Sequence, residues 1–281
     1  LLTGKRIGFL GAGSIAESLV RGMLTAGVVR PEQISVSNRS DRERLATLAA
    51  RYGVRVATSK PKLVASSEII VLACKPKDVD ELLAEVREKT RPGQVILSLA
   101  AGISTAFVES RVNQGVQVVR SMPNTSCQVG ESATAICRGS SATSETVGLI
   151  GAILSSVGKV YEVPEAHMDA VTGLSGSGPA YVYFIIEAMV QAGQGLGLPF
   201  DIARELSIQT LKGAARMLEE TGEDPAVLRH QVTSPNGTTY AGLQVLNEAG
   251  FSQALVRAIT RAAERSRELG QPTALPRTAN G

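Results

Sequence analysis

A doubly wound α/β domain followed by an all-helical one is the fold class that this 281-residue sequence predicts. Three observations lead there. Apolar runs alternate with amphipathic stretches through roughly the first 160 residues. The first of those runs is followed at once by a glycine-rich turn. After Pro164 the alternation stops, and long helical periodicities continue to about Leu269.

The first run, Ile7-Gly8-Phe9-Leu10, reads as a buried strand. Gly11, Gly13 and Ala16 follow it and open an amphipathic helix that ends near Gly27. Gly11 permits a tight turn, Gly13 lets the backbone approach a pyrophosphate, and Ala16 lets helix and strand pack closely. The helix start adds unpaired N–H groups and a positive dipole end for phosphates. Together these describe a Rossmann-type unit for a nicotinamide dinucleotide. The second strand, Ile34-Ser35-Val36-Ser37, ends about 20 residues beyond the last glycine position, where an NAD binder usually carries Asp or Glu. Asn38-Arg39-Ser40 stands there instead. An acid repels a 2′-phosphate, whereas a guanidinium and two short polar side chains bind it, so NADPH is expected, with NADH as the alternative. Asp41 is placed to cap the next helix.

Residues 68–73 and 95–99 are continuous apolar runs, as strands covered on both faces of a parallel sheet should be. Residues 116–121, 133–137 and 159–163 read as further strands. Between them, Val79, Leu82, Leu83 and Val86 recur at helical spacing. Lys75, before Pro76, falls at the carboxyl end of a parallel strand, where cofactors lie. The expected division is a dinucleotide-binding domain over 1–163, a helical dimerisation and substrate domain over 164–270, and a disordered tail over 271–281.

In the helical half, the stretch from Pro179 to Gly195 is apolar almost all round, which predicts a partner subunit on its second face. Phe200-Asp201 is expected to staple and cap the next helix, which carries Leu206, Leu211, Ala215 and Leu218. Two clusters of small residues punctuate this half. Gly173-Leu174-Ser175-Gly176-Ser177-Gly178-Pro179 precedes the apolar helix, and Ser234-Pro235-Asn236-Gly237-Thr238-Thr239 precedes a helix over 241–249. Capping by Ser and Thr is one reading of both. For the second, backbone N–H groups at a Pro-Asn-Gly turn opening a helix would form a carboxylate site.

Composition excludes several function classes. The net charge of +3, from 29 basic and 26 acidic residues, is interspersed rather than blocked, and the chain has no Trp. Neither nucleic acid nor an anionic membrane is an expected partner. The longest strongly apolar stretch, 181–190, is too short to span a bilayer. Leu1-Leu2-Thr3-Gly4 leads directly into the first strand, so no signal peptide is expected. Cys74 and Cys137 read as small core residues, and Cys127 as a loop residue open to reaction. Their odd number and lack of zinc spacing fit a reducing cytoplasm. No metal site is expected.

Over nearly the whole chain, from Ile7 to about Leu269, these residues resemble the pyrroline-5-carboxylate reductases. The most specific match is Val232-Thr233-Ser234-Pro235-Asn236-Gly237-Thr238-Thr239-Tyr240-Ala241-Gly242-Leu243, followed by 172–181. One departure is Asn236, where the family generally has Gly; Asn tolerates the left-handed conformation, so the turn should survive. The resemblance implies NADPH-dependent reduction of 1-pyrroline-5-carboxylate to L-proline, and a homodimer of a kind that often assembles further, commonly into decamers. It places cofactor contacts on Leu10, Gly11, Ala12, Gly13, Ser14 and Ile15, on Asn38, Arg39 and Ser40, and on Ala73, Cys74, Lys75 and Pro76. Further contacts fall on Leu99, Ala100 and Ala101 and, near the nicotinamide, on Met122, Pro123 and Asn124. Lys60 stands where the family often has Asn beside the adenosine. Substrate contacts map onto Thr238 and Thr239, the turn from Ser234 through Gly237 to Thr238 holding the carboxylate, with Glu165 close by and Ser175 and Ser177 in support.

Reduction of a cyclic imine asks little of side chains, because the hydride belongs to the cofactor. Thr239 is the candidate catalytic residue, its hydroxyl serving the imine nitrogen. Glu165 either orients that nitrogen or favours a helix N-terminus. His167 and His230 fit no nucleophile or metal arrangement. Two other readings compete. A β-hydroxyacid dehydrogenase or imine reductase on the same scaffold would need a lysine in the inter-domain cleft, but Lys212 reads as surface. A non-enzymatic dinucleotide sensor would not need the Thr238-Thr239 turn.

Overall fold

The computed structural model describes Leu2 and residues 4–270; the expected tail, 271–281, lies outside the described residues. Eight strands form one sheet, β1 (Ile7–Leu10), β2 (Ile34–Ser37), β3 (Arg55–Val56), β4 (Ile69–Leu72), β5 (Val95–Ser98), β6 (Gln117–Met122), β7 (Ser132–Arg138) and β8 (Gly158–Glu162), in the order β3-β2-β1-β4-β5-β6-β7-β8. Helices α1 (Ser14–Thr25), α2 (Arg42–Tyr52) and α6 (Ser144–Ser155) supply one face. Helices α3 (Lys60–Ser66), α4 (Val79–Val86) and α5 (Thr105–Glu109) supply the other.

Alternation along each strand builds both cores at once, since successive side chains leave opposite faces. Ile7, Phe9, Ile69, Val71 and Leu97 pack with Leu19, Met23 and Ile150. Leu10, Ile70, Leu72 and Ile96 pack with Leu63, Leu83 and Val108. The doubly wound arrangement expected from the sequence is therefore present, and the strands match the expected runs to within a residue or two.

One pairing departs from the parallel sheet expected, and one strand, β3, is not among the expected runs. β7 runs antiparallel to β6, while β8 returns parallel to β7. The connection from Met122 to Ser132 holds one 3₁₀ turn, Thr125–Val129. It is too short for the crossover a parallel strand requires. β3 is a two-residue exposed edge strand without an apolar run of its own.

The helical elements that follow are α7 (Met168–Val171), α8 (Gly178–Gly195), α9 (Phe200–Thr221), α10 (Pro225–Gln231), α11 (Thr238–Glu248) and α12 (Phe251–Gly270). The described residues fall into two compact units, one running to Ser177 and resuming at Arg261, the other spanning Gly178–Thr260. The glycine-rich segment before α8 is not a connection. Residues Thr172–Gly176 form a single π-helical turn, and Ser177 keeps helical dihedrals. The hydroxyls of Thr172 and Ser175 donate to the carbonyls of Met168 and Val171 four residues back. The expected N-cap at Asp201 is also corrected: Pro199 is the cap, with Phe200 and Asp201 inside the first turn. His230 lies in the last turn of α10 rather than on a loop.

In the second unit, α8 exposes Val182, Tyr183 and Phe184, the last at 73%. Leu196 and Leu198 beside it, and Leu206 and Met217 on α9, are exposed as well. Apolar surface of this extent marks an association face. Ile186 is half-buried, so Phe184 is the cleaner probe. The chain is expected to sediment as a dimer or larger, with Phe184→Asp giving monomer or precipitate. A stable, fully active monomer of the unmodified chain in sedimentation would contradict this.

Candidate active site

The carboxyl ends of β1, β2, β4 and β5 lie level, and β6 runs two residues past them. Leu10 pairs with Ser37 on one side and Leu72 on the other, Leu72 with Ser98, and Ser98 with Arg120. Every loop assigned to the cofactor therefore leaves the same edge of the sheet, at the β1/β4 switch point where α/β sheets bind ligands. Gly11 has φ 125° and lies so close to β4 that a Cβ would sit 2.3 Å from the carbonyl oxygen of Ala73. The Cβ direction of Gly13 points into open space, and Gly13 caps α1 without a side chain. The first N–H groups of α1 are thus left for a ligand, which is the cradle a dinucleotide pyrophosphate needs.

A cavity of about 630 Å³ opens beside this turn. It gathers Leu10, Gly11, Gly13, Asn38, Arg39, Ser40, Lys60, Ala73, Cys74 and Lys75 from the expected cofactor residues. Ser14 and Ile15 form the first turn of α1, Ala12 precedes them, and Pro76 opens a 3₁₀ turn after β4. Leu99, Ala100 and Ala101 follow β5, and Met122 ends β6 with Pro123 and Asn124 after it. Ala100 is 1% exposed and packs into the core beneath the loop.

Charge around the cavity is balanced internally. Arg39, 74% exposed, lies 3.6 Å from Asp78, and the ammonium of Lys60 donates to Glu85 at 2.6 Å. Lys77, Asp78, Glu81 and Glu85 all line the cavity, a contribution from α4 and the turn before it that the sequence reading missed. The Lys-Pro-Lys-Asp run after β4 was the available signal. Asp41 caps α2 as expected, accepting from the N–H of Arg44 at 2.8 Å. Asn38 spends its amide on the carbonyl of Asp41.

Arg44 also shapes the glycine turn, donating to the carbonyl of Ala12 at 3.0 Å and to Glu17. Glu17 accepts from Tyr52 and pairs with Arg51 as well. Burial alone would raise its pKa, but the bonds from Arg44 and Tyr52 and the charges of Arg44 and Arg51 outweigh it, and the carboxyl lies below its usual range.

Cys74 is half-buried at the cavity wall rather than in the core, and burial pushes its thiol up to about 11. Cys137 is a core residue as expected, pushed up to about 12 by burial. Cys127 is 1% exposed, which corrects its reading as an open loop thiol. No group of His, Cys, Asp and Glu among the described residues is arranged to hold a metal. No described helix is long and apolar enough to cross a membrane.

The second expected site lies in the helical unit. Gly237 donates to the carbonyl of Ser234 at 3.0 Å, and Asn236 takes φ 57°, the left-handed conformation expected of it. Gly237 caps α11, so the helix opens at Thr238, earlier than the residue 241 read from the sequence. Thr238 and Thr239 occupy its first turn and are exposed, and no described residue bonds their hydroxyls. Neither hydroxyl caps the helix. Glu165, by contrast, is engaged: it accepts from the N–H and hydroxyl of Thr105 at 2.8 and 2.6 Å and from Arg120 at 3.3 Å. Ser175 offers its carbonyl to the side chain of Asn124 at 3.0 Å. Lys212 is exposed on α9, as expected.

A family model described as pyrroline-5-carboxylate reductase dimerisation matches residues 165–269, and one described as NADP oxidoreductase, coenzyme F420-dependent, matches residues 6–102. A pyrroline-5-carboxylate reductase 1 from Bacillus spizizenii is 43% identical over 275 residues, covering 97% of this chain and 93% of the relative. The chain belongs to the pyrroline-5-carboxylate reductase family. Among solved members, the Coxiella burnetii reductase superposes with a TM-score of 0.88 at 32% identity, over 95% of this chain and 99% of the other. The Plasmodium falciparum reductase, solved with NADP bound, gives 0.87 at 28% identity, with the same coverage. The sheet order and helical second half described above are thus the architecture of this reductase family, with a nicotinamide cofactor domain and a dimerisation domain.

Glu17 generates a pH test of the turn geometry. A carboxyl depressed in the folded state contributes stability that is full above its unfolded value of 4.5 and is lost as pH falls through the folded value. Glu17→Gln is therefore expected to melt lower than the parent at pH 7, and the gap should close in acid below pH 4.5. A gap that widens in acid would show that Glu17 is not held this way.

Proposed function

We propose that this chain reduces 1-pyrroline-5-carboxylate to L-proline, the last step of proline biosynthesis, with NADPH as hydride donor in preference to NADH. The observation that carries the reading is the Ser234–Thr239 turn: a left-handed Asn236, a side-chain-free cap at Gly237, and two threonine hydroxyls with no partner among the described residues. A reductase of a small cyclic imino acid needs such a carboxylate cradle with a hydroxyl next to it.

When bound, the reduced nicotinamide supplies the hydride for the imine carbon. The residues of the chain hold and orient. The N–H groups at the start of α11 take the substrate carboxylate, with Ser234, Gly237 and Thr238 shaping the turn. Thr239 donates a hydrogen bond to the imine nitrogen and accepts one from the product amine, so one hydroxyl serves both ends of the reaction. Gly11, Gly13 and the first turn of α1 cradle the pyrophosphate, while Arg39, Ser40 and Asn38 read the 2′-phosphate. The loops 99–101 and 122–124 seat the nicotinamide. Ser175 supports the second through its carbonyl, and Glu165 acts through Thr105 rather than on the substrate. The chain is proposed to work in the cytoplasm as a homodimer that can assemble further, its functional halves dividing at 163/164. Three free cysteines fit a reducing compartment. Turnover of NADPH with pyrroline-5-carboxylate is the direct test, and absence of any turnover would defeat the assignment.

Arg39 is free to leave Asp78 for a phosphate, the ion pair being long and exposed. Losing a charge-assisted phosphate contact costs about 1.5–3 kcal/mol. Arg39→Ala is expected to raise the KM for NADPH by about ten-fold or more with little change for NADH; equal losses with both cofactors would defeat the role.

For Thr239, the expected effect of Thr239→Val is a fall in kcat of about 10²-fold, the low end for a positioned proton donor, with NADPH affinity unchanged. A Val variant that retains parental turnover would assign the proton to water or another group.

A further inference from the structure

Arg120, on β6, is 5% exposed. Its guanidinium lies 3.3 Å from Glu165 and 3.8 Å from Asp169, and one of its terminal nitrogens has no hydrogen-bond partner among the described residues. A buried guanidinium is tolerated only where carboxylates stay beside it. Both carboxylates are themselves tied to other segments. Glu165 holds the N–H and hydroxyl of Thr105, the first residue of α5 and the end of the loop that follows β5. Asp169 accepts from the hydroxyl of Ser266 on α12 at 2.7 Å, and Ser266 is 3% exposed.

The same loop meets α12 a second time. Gly102, at φ 76°, lies where a Cβ would be 2.9 Å from both the Gly270 nitrogen and the Ser266 carbonyl oxygen. A Cβ on Gly270 would be 2.1 Å from the Gly102 carbonyl oxygen. Backbone therefore touches backbone at this point. The loop 99–104 is gripped at its middle by the last turns of α12 and at its end by Glu165. Arg120 and Asp169 join the two grips. All of these residues belong to the first compact unit.

We infer that Arg120, Asp169 and Ser266 are positioning residues for hydride transfer: they fix the loop 99–104 that seats the nicotinamide, and leave the adenosine end of the cofactor untouched. This rests on the proposed NADPH-dependent reduction. A nicotinamide displaced by a fraction of an ångström loses rate without losing the phosphate contacts on the far side of the site.

Ser266→Ala tests it, with 2′,5′-ADP as a probe of the adenosine end. The expected result is a kcat lower by about ten-fold, a 2′,5′-ADP affinity within about two-fold of the parent, and faster amide exchange across 99–105 but not across 11–16. Ser266→Thr, which keeps the hydroxyl, should recover most of the kcat. A variant that melts lower yet keeps parental kcat would reduce the cluster to a stability element and overturn the inference. So would a parallel loss of 2′,5′-ADP affinity. If the unmodified chain does not turn over pyrroline-5-carboxylate, the proposed function fails, and the exchange comparison decides the tie by itself: unchanged protection at 99–105 overturns it.

Discussion

The contact on which the rest of the site depends is the approach of the first glycine turn to the end of β4. Gly11 and the Ala73 carbonyl are so close that no side chain fits between them. That approach opens the crevice at the strand switch point and points the first turn of α1 into it. The level ends of β1, β2, β4 and β5, with β6 two residues longer, then bring the loops that follow them to one edge. Side chains refine this arrangement from outside: Arg44 holds the Ala12 carbonyl, and Glu17 holds Arg44.

The cofactor crevice keeps its charges in check with its own carboxylates. Arg39 faces Asp78 and Lys60 faces Glu85, both pairs at or near the surface. Surface ion pairs of this kind are weak. Lys60, where the resemblance implies Asn beside the adenosine, takes its partner Glu85 from α4.

On the other side of the site the polar groups are committed to one another, Arg120 and Ser266 buried and Glu165 and Asp169 half-buried. Glu165, Arg120, Asp169 and Ser266 tie three segments far apart in sequence around the loop that follows β5. The π-helical turn before α8 belongs to the same region, with Ser175 bonded to Asn124 and Gly176 so close to Met122 that a Cβ would meet its methyl carbon at 2.7 Å. Extra-wide helical turns of this sort recur at functional sites because they aim backbone groups that a regular helix would consume. The threonines of α11 present the opposite case, exposed hydroxyls with no described partner, suited to a ligand rather than to the fold.

Local chemistry let the sequence determine most of the fold. Period-two and period-3.6 patterns marked the strands and helices, Gly11 and Gly13 marked the phosphate turn, Asp41 marked a cap, and Asn236 marked a left-handed turn. The absent acid after β2 and the Pro-Asn-Gly run pointed to the cofactor and substrate classes. Each of these signals lies within a few residues, where dihedral preference and side-chain alternation act directly. What tertiary structure alone decided involves partners distant in the chain. The antiparallel return of β7 follows from the reach of its connection. The π turn, hidden under a glycine-rich run that read as a capping segment, is set by packing against Met122 and Asn124. The bonds of Glu165 to Thr105, 60 residues away, had no sign in the sequence. Long-range pairings leave no periodic trace in sequence, because either partner alone looks like an ordinary polar residue.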